Sequence, residues 1–216
     1  MARLWVVTDS RHAAQRMPAA LVEALAARGI RPRVVVADRG LSSLRGLEHG
    51  DLVVGCTRHR AGLALLEAAE LHGGRTFPAV AAVRTVRNKA QTTLSLARDG
   101  IRVPPTVVAY SPEQAVYVGF PMVLKPVFGE GARGVRVIHG PLALEMAGWD
   151  GTPVLAQAYV ETGGVDLTLY VAGDRVWAVR RPSPLLVPHA GARRVGLTRD
   201  LRALAVACAE RFGLRC

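Results

Sequence analysis

Residues 120–134 read Phe120-Pro121-Met122-Val123-Leu124-Lys125-Pro126-Val127-Phe128-Gly129-Glu130-Gly131-Ala132-Arg133-Gly134. A short, bounded apolar run rich in strand formers leads to Lys125, which is the pattern of a buried strand. Pro126 is expected to end regular pairing just after the lysine. Glycines at 129, 131 and 134 allow positive φ and close backbone approach, so successive N–H groups can converge on an anion. A second apolar run, Val135 to Ile138, closes the pattern as a hairpin. A plain hairpin with a glycine-rich turn would account for this stretch taken alone.

A wider view of the charges makes Lys125 stand out. Lys+Arg number 28, yet only Lys89 and Lys125 are lysines. Two positions that use a compact, adaptable ammonium instead of a guanidinium suggest that one is wanted there. Lys89 follows Asn88, a candidate cap for a helix read over 85–100 with Gly100 as its stop. A lysine in a first helical turn opposes the macrodipole, and a phosphate held between helix start and ammonium would resolve the mismatch. Together the two lysines and the glycine loop (Gly129, Glu130, Gly131, Gly134) suit a nucleotide triphosphate.

Length and composition bound the rest. The 216 residues are 50% hydrophobic and 21% charged, enough for a sizeable core in one or two domains. No apolar run approaches the roughly 20 residues of a membrane helix. The first residues turn polar too soon for a signal peptide. Three cysteines without a C-x-x-C pair point to a reducing cytoplasm, with no structural disulfide and no zinc site. The six histidines are dispersed without metal-ligand spacing. The net charge of +11 would attract a nucleotide or an acidic partner. Nucleic acid is disfavoured, because the arginines are spread out and aromatics for stacking make up only 5%.

In chain order, strands over 3–8, 31–37 and 51–56 alternate with helices over 18–29 and 61–71, which implies a small parallel α/β domain over 1–84. No G-x-G-x-x-G follows its first strand, so it is expected to help build a substrate cleft and not to hold a dinucleotide. Residues 85–216 form a second domain of α+β character. Its expected parts are the helix at 85–100, strands near 103–108 and 153–160, a short helix over 112–118, and the glycine-loop hairpin. A further hairpin covers 165–172 and 175–181, an exposed loop covers 182–196, and a last helix over 201–212 is capped by Thr198. On that helix Leu201, Leu204, Ala205 and Cys208 form the apolar face.

This order resembles that of the ATP-grasp ligases, in the branch that holds the glutamate ligase RimK and the lysine-biosynthesis ligase LysX. Four stretches carry the resemblance. They are Asn88-Lys89 with a helix ending in Gly-Ile-Arg-Val-Pro-Pro-Thr, Val123-Leu124-Lys125-Pro126 with its loop, Gln157-Ala158-Tyr159-Val160-Glu161 with Asp166, and Leu197-Thr198-Arg199-Asp200. It implies an α/β protein of ATP-grasp architecture with a preceding small parallel domain. It further implies that Lys89 and Lys125 contact ATP phosphates and that Phe128 to Gly134 closes over them. Gln157, Ala158, Tyr159 and Val160 would be the hinge that reads adenine, Glu161 would take ribose hydroxyls, and Asp166 would face ribose or substrate. Arg180 and Arg181 are the candidates for neutralising the transferring phosphoryl group.

The implied activity is ATP-dependent joining of a carboxylate to an amine through an acylphosphate, with magnesium and an amino-acid or acidic protein acceptor. A homo-oligomer is compatible with it. Three departures qualify the resemblance. Thr168 stands where the family's Asp-x-Arg has arginine, and no Arg-x-Asn appears in 182–194. The Asp-bearing strand and Glu-x-Asn that hold magnesium are not found in this chain, as if its C-terminal end were truncated. The alternative is a non-catalytic ATP-binding or scaffold protein on the same fold.

Overall fold

The computed structural model describes residues 2–39, 44–129, 132–183 and 191–214. The chain divides into two compact units at Val83/Arg84.

Unit 1 opens with β1 (Leu4–Thr8), α1 (Ser10–Ala13), α2 (Arg16–Ala26), β2 (Arg33–Val36), β3 (Leu52–Cys56), α3 (Arg60–Leu71) and β4 (Arg75–Phe77). The four strands are parallel in the order β2-β1-β3-β4. Trp5, Val6 and Val7 are buried in succession, as a central parallel strand covered on both faces requires. Leu66 and Ala69 of α3 pack on Trp5, Val7 and Val53. At the lower edge the buried Asp51 accepts from Arg3 N (2.7 Å), Glu48 N (3.0 Å) and Trp5 Nε1 (3.0 Å), which ties β1 to the turn before β3. The alternation of strands and helices predicted this sheet, but not β4 or α1. Each is too short for its periodicity to register, and β4 is defined by pairing with β3.

Helix α4 (Val80–Arg87) carries the division between the units, and α5 (Lys89–Arg98) follows it at once. The expected single helix over 85–100 is therefore two. Asn88 is extended (φ −91°, ψ 101°) and its side chain accepts from Gln91 N at 3.0 Å, so it breaks one helix and caps the next.

Unit 2 continues with β5 (Thr106–Ala109), α6 (Pro112–Ala115), a 3-10 turn (Val116–Val118), β6 (Met122–Pro126), β7 (Arg136–Ile138), α7 (Pro141–Glu145), β8 (Val154–Ala158), β9 (Val165–Ala172), β10 (Arg175–Pro182), β11 (Arg193–Val195) and α8 (Arg199–Arg211). Two antiparallel sheets result, β5-β8-β6-β7 and β11-β10-β9. One face of the first sheet builds a core of Ala109, Met122, Leu124, Ile138 and Ala156, closed by Ala115 and Leu144 from α6 and α7.

Three expectations change. Pro126 does not end pairing but stays in β6 opposite Val154. Strand β7 pairs only as far as Leu124, so the ladder is open on that side and a residue without N–H is tolerated. The loop expected over 182–196 contains β11, an edge strand whose Arg-Arg-Val sequence carries no strand signal and which takes its form from β10; residues 184–190 lie outside the described residues. On α8, Thr198 caps as expected by accepting from Leu201 N, and Ala205 is buried, but Leu204 is 42% exposed and lies off the packed face.

Candidate functional site

Opposed residues of an antiparallel ladder share a face. The register pairs Thr106 with Gln157, Val123 with Gln157, and Lys125 with Leu155, so all of these lie on the sheet face away from the core. Three buried residues, Ala90, Val127 and Leu155, pack together there and hold the start of α5 against that face. Lys89 N donates to Val127 O at 3.0 Å, and Asn88 forms an antiparallel bridge with Phe128. The two lysines, 36 positions apart in the chain, are thus brought to one place.

Each ammonium is oriented. Lys89 Nζ donates to Gly129 O at 2.5 Å, and Lys125 Nζ donates to Gln157 Oε1 at 2.6 Å. Gln157 Nε2 donates to Thr106 Oγ1 at 2.8 Å, and Thr106 Oγ1 donates to Pro104 O at 2.7 Å. Every ammonium has three donors, so each keeps two to offer a ligand. Burial lowers the pKa of Lys89. Burial, and then the charge of Lys89, lower that of Lys125. Neither has a carboxylate partner among the described residues. Two half-buried cations that repel each other, without an acid between them, form a site whose electrostatics favour an anion.

The glycine loop flanks this pair. Gly134 has φ +71°, which favours glycine, and a Cβ there would press to 3.0 Å from Pro126 Cγ. Gly129 runs beside Lys89 Nζ. Glu130 and Gly131 lie outside the described residues.

In the expected hinge, two amides are already engaged. Ala158 N donates to Pro105 O (2.9 Å) and Tyr159 N to Pro121 O (3.0 Å). Val160 is 54% exposed, and its N–H has no partner among the described residues. Glu161 is exposed, with Oε1 accepting from Gly163 N at 2.8 Å. In the other sheet Asp166 stands opposite Arg181, whereas Arg180 stands opposite Leu167 and Arg193. Adjacent strand residues point to opposite faces, so Arg180 and Arg181 do not converge on one point. Arg180 shares the face of the buried Val176 and Ala178, and Arg181 shares that of Asp166, Thr168 and Val179.

Sequence reasoning assigned no role to Thr106 and gave Gln157 only a backbone role. The available signal was a polar residue at a regular position in an otherwise apolar strand, Val-Leu-Ala-Gln-Ala.

No protein-family model matches the chain. A probable alpha-L-glutamate ligase of Alkalilimnicola ehrlichii is 34% identical over 172 residues, which cover 71% of this chain and 56% of that protein. The chain spans less than two thirds of the length of the first curated relatives it matches. The crystal structure of a RimK-domain ATP-grasp protein from Sphaerobacter thermophilus superposes with a TM-score of 0.74 at 22% identity, over 98% of this chain and 83% of that one. The ATP-grasp ligase PsnB, complexed with a minimal precursor, superposes with a TM-score of 0.68 at 20% identity, over 100% of this chain and 84% of that one. The fold is that of the ATP-grasp ligases, and the chain is similar in sequence to the RimK-like glutamate ligases.

Proposed function

We propose that the protein is an ATP-dependent carboxylate–amine ligase. The observation that carries this reading is the convergence of Lys89 and Lys125, unneutralised, beside a glycine loop on the open sheet face. Their free donors suit the phosphates of ATP, and Phe128 to Gly134 supplies the covering loop. Of the hinge from Gln157 to Val160, the Val160 N–H is the donor left for the adenine edge, with the neighbouring Ala158 carbonyl as acceptor. Glu161, just past the strand, suits the ribose hydroxyls, and Asp166 with Arg181 suits the reacting groups.

In this reading a carboxylate oxygen attacks the γ-phosphorus and ADP leaves. An amine then attacks the acyl carbon, phosphate leaves and the amine loses a proton. The protein contributes position and positive charge. Magnesium is a different matter, because the described residues hold no group of three His, Cys, Asp or Glu that could bind a metal. The described residues bring no such set together, and no step is assigned to a metal ion. The acceptor is an amino acid or an acidic peptide. The basic charge of the chain supports this class, as does the likeness to a ligase solved with its precursor peptide.

Calorimetric titration of ATP, followed by ADP release with a panel of carboxylates and hydroxylamine as the amine, tests the proposal. ATP binding with hydroxamate formation is expected, and Lys125→Ala should abolish both. ATP binding without turnover on any carboxylate would favour the non-catalytic nucleotide-binding reading. No ATP binding would overturn the site.

A further inference from the structure

Each of the three sheets has two edge strands, and five of these six edges are short among the described residues. Strands β2 and β5 have four residues, and β4, β7 and β11 have three. The sixth edge, β9, has eight. A long edge offers a row of backbone groups to another strand, and proteins blunt such edges with lysine, proline, a bulge or a cover. Strand β9 reads Val-Asp-Leu-Thr-Leu-Tyr-Val-Ala, without lysine or proline, and its register with β10 runs unbroken from Val165 to Ala172.

That register fixes which groups are free. Ser183 N donates to Gly164 O at 2.8 Å, and these two residues continue the ladder just past Pro182 and Val165. Bonded and non-bonded pairs alternate along an antiparallel ladder. Asp166, Thr168, Tyr170 and Ala172 therefore exchange bonds with β10, while the N–H and C=O of Leu167, Leu169 and Val171 point away from it. No described residue takes up these groups. Their side chains lie on the face of the buried Val176 and Ala178, and Leu167 is 45% exposed. On the other face Asp166 and Ala172 stand at the two ends of β9, opposite Arg181 and Arg175 of β10, with Thr168 and Tyr170 between them.

We propose that β9 pairs antiparallel with β9 of a second copy of this chain, joining two three-stranded sheets into one of six. A two-fold axis at Leu169 sets Leu169 against the partner's Leu169, and Leu167 against the partner's Val171. Every free N–H and C=O of Leu167, Leu169 and Val171 is then bonded, and only apolar side chains meet on that face. On the other face Thr168 meets the partner's Tyr170, and Asp166 meets the partner's Ala172. One strand further on stands the partner's Arg175, so Asp166 is set between a cation of its own hairpin, Arg181, and a cation of the second copy. An axis at Leu167 or Val171 would instead carry Val171 or Leu167 past the end of the partner strand. No like charges oppose each other across the joint. Each chain nevertheless carries a net +11, so the copies repel at long range and association should strengthen with salt. The pairing follows from the register and does not need the ligase reading. Taken with that reading, it places a cation of a second chain in the row of Asp166 and Arg181.

The test is sedimentation of the full chain from dilute to concentrated solution at low and at raised salt, with amide hydrogen exchange at both ends of the range. The mass is expected to double with concentration, more readily at raised salt. Exchange at the Leu167, Leu169 and Val171 N–H should slow with it, whereas the Thr168 and Tyr170 N–H, already bonded to β10, should be slow throughout. Arg175→Glu sets a negative charge near the partner's Asp166 and should weaken the dimer roughly tenfold without lowering the melting point of the monomer. Leu169→Pro removes the central donor of the edge without removing a bond to β10, and should leave a monomer. Should Leu169→Pro not fold, Arg175→Glu and the parent chain decide. A parent that stays monomeric at every concentration, or a dimer whose three edge amides exchange as fast as in the monomer, would overturn the inference. Neither outcome bears on ATP binding, so the ligase reading does not fall with it.

Discussion

Lys125 Nζ sits 2.6 Å from Gln157 Oε1, and it can do so because the Gln157 amide is turned by its own bond to Thr106. The chain of bonds from Pro104 O through Thr106 and Gln157 to Lys125 fixes where one cation of the site points. Thr106→Val keeps the shape and removes the hydroxyl. Gln157 then loses the acceptor for Nε2, and its oxygen is no longer held toward the ammonium. The expected loss is about 1 kcal/mol of nucleotide affinity, roughly fivefold in Kd. Calorimetric titration of ATP would read it, and Thr106→Ser, which restores the hydroxyl, should recover most of it.

Proton uptake offers a second check. Both lysine pKa values are lowered from the ordinary 10.5, Lys89 by burial and Lys125 by burial and then by Lys89. A lysine depressed in the fold binds fewer protons than the unfolded chain does between its folded value and 10.5. Stability contributed at these positions therefore rises with pH across that window. A bound triphosphate reverses the cause, because its negative charge favours both ammonium forms and raises their pKa values. ATP binding at mildly alkaline pH should thus be accompanied by uptake of protons. Binding enthalpies measured in two buffers of different ionisation heat would show it. Lys89→Met should reduce the uptake, and the absence of any uptake in the parent chain would argue that the phosphates lie elsewhere.

Much of this geometry could be read in advance and some could not, for reasons that differ by residue. The lysines stood out because almost every other cation is arginine, and Asn88 and Thr198 were legible as caps because such residues compete for helix-end N–H groups. The Thr106–Gln157–Lys125 chain was not legible, since its members lie on three strands and meet only through register. Strands β4 and β11 and helices α1 and α7 escaped because three to five residues cannot display a period. The expected hinge falls on β8 and the residues after it, and which of its amides remain free depends on Pro105 and Pro121, whose carbonyls take two of them.

The glycine loop separates conformation from contact. Gly134→Ala would force a left-handed φ of +71° on alanine and press its Cβ to 3.0 Å from Pro126 Cγ. The strain should cost about 1–2 kcal/mol and lower the unfolding midpoint by a few degrees. Gly129→Ala meets only ordinary contacts, 3.6 Å to Pro126 Cβ and 3.8 Å to Lys89 Nζ. It should melt like the parent while weakening ATP, because the added methyl stands beside the ammonium. Thermal melts paired with nucleotide titrations would distinguish the two, and a destabilised Gly129→Ala would contradict this account.

The two adjacent arginines give the sharpest contrast, because period two sends them to opposite faces of β10. Arg181 lies opposite Asp166 and shares its face with Thr168, the position where the resemblance led us to expect an arginine. With threonine there, Arg181 is the β10 cation opposite Asp166; Arg175 at the other end of β10, and Arg194 of β11 opposite Val179, also lie on that face. Arg180 faces the side of Val176 and Ala178, opposite the equally exposed Arg193. Like charges directly opposed across a ladder repel, so Arg180→Ala should leave stability unchanged or slightly raised and turnover intact. Arg181→Ala should reduce turnover by roughly 10- to 100-fold, as expected when one charge-stabilising donor is removed from a reacting group, with ATP affinity little changed. Steady-state ADP release from the two single variants measures the difference. Equal losses in both would mean that neither acts through the face its register assigns.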